Sequence, residues 1–364
     1  HSGNGRVNPW QTLAWPWIDT MAACQRALEA FNDELARRDR EDEPSIEPRW
    51  TTANHVVTQC ANMRLRDFSQ GQTLGAARLI VAPFALHDAA LADLAPGHSL
   101  VETLQANGCE RLLLVEWTSA TPEMRFNTID AQLAALNVAV DDSGAPVDLI
   151  GLCQGGWLSL IFAARFPEKV RKLVVAGSPI DAQAARAPWL RPRELHCEPM
   201  IEQLIRLGNG LVLGRHTAEL WPHDPSAANR LNAALQLDGP PKTDEQRAAA
   251  EAYALWERRL LDLPGVYYRQ VFELLYRDNR LAAGTFPALG RIADLSRVAS
   301  PLYLLAGAQD QVSPPAQVFA AAELLGASRT DVTAALADCA HCALFMGART
   351  LAEEWPRIAR WLAA

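Results

Sequence analysis

"VDLIGLCQGGWLSL", residues 147–160, decides how this chain is read. Val147, Leu149 and Ile150, around Asp148, have the apolar make-up of a short buried strand. Gly151-Leu152-Cys153-Gln154-Gly155 then breaks the run, and an apolar, helix-permissive stretch follows at once. Gly-x-Cys-x-Gly between a strand and a helix has the form of a nucleophile elbow, a strained turn that lifts its central residue above a sheet. Glycines two positions either side remove Cβ atoms that would collide with the neighbouring strand and helix. The helix N-terminus behind the turn favours a thiolate, since its partial positive charge lowers a cysteine pKa from about 8.5. The same residues also suit a small buried cysteine in a tight turn, so the partners of Cys153 must decide.

An elbow nucleophile is served by an acid and then a histidine later in the chain. "SPLYLLAGAQDQVSPPAQ" (300–317) runs a strand-like segment into a loop bearing Asp310, with prolines opening a helix. "TAALADCAHCALFMGA" (333–348) places His341 in a loop ahead of the final helix, and it is the only histidine in the last hundred residues. Asp310 is therefore expected to orient His341, and His341 to take the Cys153 proton. Asp181 in "GSPIDA" is the second candidate for the acid. The tetrahedral oxyanion needs two donors. One is the backbone N–H of Gln154; the other belongs to "VAPFALHDA" (81–89), at Phe84 or Ala85, because Pro83 has no N–H. His87, Trp157 and Trp256 are expected to touch substrate, with Trp189 and Trp221 as further candidates for an apolar groove. Taken singly, each tryptophan fits helix packing better than a groove. Cys339-Ala-His341-Cys342 invites a metal reading, but zinc wants four ligands and the sequence offers no second cluster nearby. No metal and no cofactor is expected.

Around the elbow the chain alternates. Apolar runs at 78–82, 111–115, 147–150, 172–176 and 302–306 are separated by helical patterns at 99–107, 128–139, 156–166 and 315–325. Near-continuous apolar strands between helices mean an α/β fold: a mostly parallel central sheet covered by helices on both faces. The rhythm breaks between Pro179 and Ala299, where only helical patterns are visible. Such an insertion sits above the carboxyl ends of the strands, where open sheets bind ligands. The expected organisation is an N-terminal helical extension and linker over 1–50, a core of 51–180 with 300–364, and a helical cap over 181–299.

Composition narrows the function classes. Of 364 residues, 49% are hydrophobic and 21% charged, with a net charge of −8. That suits a globular chain with a large core and offers no concentrated basic face for nucleic acid. No apolar run approaches the ~18–20 residues needed to span a bilayer. No charged segment leads an apolar one at the start, so no signal peptide is expected. Seven irregularly spaced cysteines argue for a reducing compartment, with the cytoplasm as the expected location.

At these residues the chain resembles a known family. "LIGLCQGGW…KLVVAGSPIDA", "LDLPGVYYRQVFELLYRDNRLAAG" and "AHCALFMGARTLAEEWPRIARWL" are similar to the intracellular polyhydroxyalkanoate depolymerases. "LIVAPFALHDAALADLAPGHSLVETLQANGCERLLLVEW" resembles the related polyhydroxyalkanoate synthases. Both are α/β-hydrolases with a cysteine elbow, and Cys153, Asp310 and His341 fall on the family triad. The resemblance implies a polyester or hydroxyacyl thioester substrate and a polymer granule surface as partner; a homo-oligomer is a separate expectation. Hydrolysis of a 3-hydroxybutyrate-type polyester through an acyl-enzyme is the first expectation. A synthase-like acyltransferase using 3-hydroxyacyl-CoA is the second, and a non-catalytic granule-associated protein on the same scaffold is the third.

Overall fold

The computed structural model describes residues 47–71, 75–185, 198–218, 224, 226–326 and 331–364. Most of the expected N-terminal extension, and both Trp189 and Trp221, lie outside those residues. Eight strands form the main sheet: β1 (His55–Gln59), β2 (Met63–Asp67), β3 (Arg78–Val81), β4 (Leu112–Trp117), β5 (Val147–Leu152), β6 (Val170–Ala176), β7 (Leu302–Gly307) and β8 (Val332–Ala337). Their spatial order is β1-β2-β4-β3-β5-β6-β7-β8. The pairs β1–β2 and β2–β4 are antiparallel, and every other neighbouring pair is parallel.

The apolar runs are continuous because alternate residues serve opposite faces. Leu79, Val81 and Leu149 pack with the helices α2 (Ile129–Asp142) and α3 (Gln154–Arg165). Ile80, Ile150 and Leu152 pack with α1 (Leu100–Ala106) and the C-terminal helices. Asp148 interrupts β5 without breaking it: it is fully buried, and Arg171 and Arg78 pair with its carboxylate. A buried charge so matched is tolerated where a lone one would not be.

Between β6 and β7 the chain builds α4 (Glu198–Leu207), α5 (Ala227–Leu235), α6 (Asp244–Arg258) and α7 (Gly265–Gln270), the last continuing into a π-helical stretch over Val271–Arg277. The sequence showed only helices there. The structure adds two antiparallel ladders, Leu211–Val212 with Leu263–Pro264 and Pro287–Ala288 with Arg291–Ile292. Two-residue strands are too short to leave a periodic signal. After β7 come α8 (Pro315–Leu324), α9 (Ala343–Met346), α10 (Ala348–Glu353) and α11 (Trp355–Ala363).

The elbow sits where β5 meets α3 and the chain has no room to spare. A Cβ on Gly151 would lie 2.5 Å from the Gly156 Cα, and one on Gly155 only 2.1 Å from the Val81 carbonyl oxygen at the end of β3. Gly155→Ala is expected to cost at least about 2–3 kcal/mol, read as a fall in the denaturant midpoint at unchanged slope. An unchanged midpoint would contradict this packing.

Candidate active site

Cys153 adopts φ 50° and ψ −118°, a conformation that non-glycine residues rarely hold. Its N–H donates to the Ala176 carbonyl of β6 at 2.9 Å, and its own carbonyl accepts from Gly156 N–H at 2.9 Å. These bonds fix the turn and leave the sulfur above the sheet, only 6% of the residue being exposed.

Asp310 follows β7. One carboxylate oxygen accepts from the backbone N–H groups of Val312 and Ser313, both at 2.8 Å. The other lies 2.7 Å from His341 Nδ1. A carboxylate only accepts, so Nδ1 carries the hydrogen and the ring's other nitrogen is left for the sulfur. The two loops are tied together, Ala308 N–H donating to Ala337 O at 2.7 Å and Gln309 N–H to Cys339 O at 3.0 Å. The structure thus brings Cys153, Asp310 and His341 into one constellation. Burial by itself would lower the His341 pKa. The Asp310 carboxylate and then the Cys153 sulfur, each also hydrogen-bonded to the ring, override burial and hold it well above the ordinary value.

Asp181 stands elsewhere. Its carboxylate accepts from Asn279 Nδ2 at 2.7 Å and from Gln183 N–H at 2.9 Å, a turn-stabilising arrangement.

A cavity of about 560 Å³ opens over the sulfur. Ala85, His87, Trp256 and His341 line it together with Cys153. His87 stacks on Trp256, ring centroids 4.3 Å apart, and burial pushes its pKa down, favouring the neutral ring. Phe84 is buried, its ring against Trp117 and Tyr267. Trp157 is a correction to the sequence reading. It is fully buried, donates its indole N–H to the Gln154 side-chain oxygen and packs on Phe286, so it belongs to the core beneath α3. Gln154 is the first residue of α3, and its backbone N–H is one the helix itself cannot use. Cys342 lines the cavity beside the imidazole, its thiol pushed up to about 11 by burial.

Two tyrosines of the segment between β6 and β7 escaped the sequence reading. Tyr276, in the π-helical stretch, accepts a hydrogen bond from Gln154 Nε2 at 2.7 Å. Tyr267 donates to the Phe84 carbonyl at 3.1 Å. Burial, and secondarily the Cys153 sulfur, pushes both phenols above their ordinary value. The cluster of three tyrosines at 267, 268 and 276 was the available signal, but aromatics at helical spacing usually mean packing.

A sheet of this strand order, a strained cysteine elbow, and an acid and histidine on later loops converge on one family, and the sequence profile of the alpha/beta hydrolase fold matches residues 119–348. The chain belongs to that family. Among solved structures it superposes on a bacterial membrane phospholipase A with a TM-score of 0.51, at 16% identity and covering 85% of each chain. That likeness shows the fold alone. Among characterised sequences it is similar to the poly(3-hydroxyalkanoate) polymerase subunit PhaC of Haloferax mediterranei, 24% identical over 351 residues, spanning 93% of this chain and 69% of that protein. The subunit of the same name from Synechocystis is 27% identical over 285 residues, 75% of this chain and 74% of that protein. These relatives are polymerase subunits rather than depolymerases. No helix among the described residues is long and apolar enough to cross a membrane.

Asp310→Asn removes the strongest influence raising the His341 pKa while leaving burial in place. The imidazole is expected to titrate well above its ordinary value in the wild type and lower in the variant, followed by NMR of the ring. Equal titration in both would contradict the pairing.

Proposed function

We propose that this chain is a polyhydroxyalkanoate synthase-like acyltransferase that moves 3-hydroxyacyl groups from coenzyme A thioesters onto a growing polyester through Cys153. The observation that carries the reading is a thiol on the elbow of an alpha/beta hydrolase whose relatives are polymerase subunits. A thioester acyl-enzyme is a more reactive acyl donor than an oxyester, which suits transfer to an alcohol.

In the first half-reaction His341 takes the Cys153 proton and the sulfur attacks the substrate carbonyl. The tetrahedral oxyanion is held by the Gln154 N–H and a donor from the loop after β3. Collapse expels the coenzyme A thiolate, which leaves with the proton from His341. In the second half-reaction the hydroxyl end of the chain gives its proton to His341 and attacks the thioester, and the collapse returns the thiolate and proton to the resting pair. Asp310 steadies the imidazolium throughout. Water competes with the alcohol at this second step, so a cavity lined by Trp256 and Tyr253 from the cap and Leu86 from the loop after β3 favours transfer over hydrolysis by keeping the surroundings apolar. The site of action on this reading is the surface of a polymer granule in the cytoplasm.

With 3-hydroxybutyryl-CoA the wild type is expected to release coenzyme A and form insoluble polyester. Cys153→Ala, with folding intact by circular dichroism, is expected to lose at least about 10³-fold in rate. Free 3-hydroxybutyrate as the sole acyl product, or activity surviving the substitution, would overturn the reading.

A further inference from the structure

The loop that follows β3 is held chiefly by the cap. Tyr267 donates its hydroxyl to the Phe84 carbonyl at 3.1 Å, Leu261 N–H donates to the Leu86 carbonyl at 2.8 Å, and the Trp256 indole donates to the Asp88 carbonyl at 3.2 Å. Arg259 pairs with the Asp88 carboxylate, both side chains nearly buried. Three alternate carbonyls of the loop therefore face the cap. The core contributes the Trp117 indole, which donates to the Ala82 carbonyl at 2.9 Å.

A trans peptide sends its C=O and N–H to opposite sides. The one cis bond among the described residues is Ala145–Pro146, so the Phe84–Ala85 peptide is trans. Fixing the Phe84 oxygen on Tyr267 turns the Ala85 N–H away from that hydroxyl. Ala85 lines the cavity that also holds Cys153 and His341, whereas Phe84 is buried behind it.

We infer that Tyr267 is a positioning residue: by holding the Phe84 carbonyl it aims the Ala85 N–H, beside that of Gln154, at the oxyanion formed on Cys153. The second donor is then Ala85 rather than Phe84, and the oxyanion hole is complete only while the cap is docked. This rests on the acyl-transfer reading of Cys153. Because burial keeps the Tyr267 phenol protonated, the contact persists across the working pH range.

Two reactions at the same sulfur separate this role from a merely structural one. Iodoacetamide alkylates by displacing iodide from a saturated carbon and forms no oxyanion. Acylation by p-nitrophenyl acetate passes through one. Tyr267→Phe keeps the ring against Phe84 and removes only the hydroxyl. It is expected to acylate about 10–100-fold more slowly, through kcat rather than KM, while alkylation stays within about twofold. Ala85→Pro deletes the N–H itself and is expected to show the same selective loss. In the wild type, an aldehyde forming a hemithioacetal on Cys153 is expected to move the amide resonances of Ala85 and Gln154 but not that of Phe84, a measurement that no folding defect can obscure. Wild-type acylation rates in Tyr267→Phe, loss of both reactions together, or a shift at Phe84 instead of Ala85 would each overturn the inference. A wild type that acylates from p-nitrophenyl acetate yet releases no coenzyme A from 3-hydroxybutyryl-CoA would remove the proposed substrate and leave this selective loss readable. One inert to both would overturn both.

Discussion

The backbone of Cys153 is the constraint on which the rest depends. Its φ of 50° and ψ of −118° belong to a sparsely populated region that costs on the order of 1–3 kcal/mol and survives only where the surroundings over-determine it. Here they do. β6 holds the cysteine N–H through Ala176, α3 holds its carbonyl through Gly156, and β3 presses its Val81 carbonyl into the space where Gly155 has no side chain. The parallel pairing of β5 with β3 on one side and β6 on the other sets the distances that make these contacts possible. A sheet with β5 at its edge could not hold the turn this way.

From that fixed sulfur the chemistry is assembled by loops at the same end of the sheet. Asp310 and His341 ride on segments after β7 and β8, cross-linked by backbone bonds from Ala308 and Gln309. The imidazole therefore has little freedom to turn, and its charge is governed by a contest between burial and the two groups it touches. The segment between β6 and β7 contributes the rest. Tyr276 orients the Gln154 amide, and the bonds from Trp256, Leu261 and Tyr267 clasp the loop after β3. The sheet loops and the helical segment between β6 and β7 are thus joined around Cys153 by hydrogen bonds rather than by apolar contact alone.

Much of this was legible in the sequence. The five strands and four helices anticipated around the elbow are present because buried parallel strands and their covering helices write long apolar signals. β1, β2 and β8 left weaker ones: "HVVTQ", "MRLRD" and "VTAALA" mix polar and small residues, and the edge strands β1 and β8 are largely exposed. Chain order singled out Cys153, Asp310 and His341, and the structure gathers all three. Trp157 went astray because its place in the elbow helix does not reveal which face of α3 it occupies. Tyr267 and Tyr276 were invisible as site residues because their partners, a backbone carbonyl and a glutamine amide, are specified only by tertiary packing.

The most direct test of the central claim is peptide-mapping mass spectrometry of the wild type quenched in acid shortly after mixing with 3-hydroxybutyryl-CoA. The account predicts hydroxyacyl units attached to the Cys153 peptide as a thioester, cleaved by hydroxylamine. Coenzyme A release with the acyl group on another residue, or with no acyl-enzyme at any quench time, would contradict it.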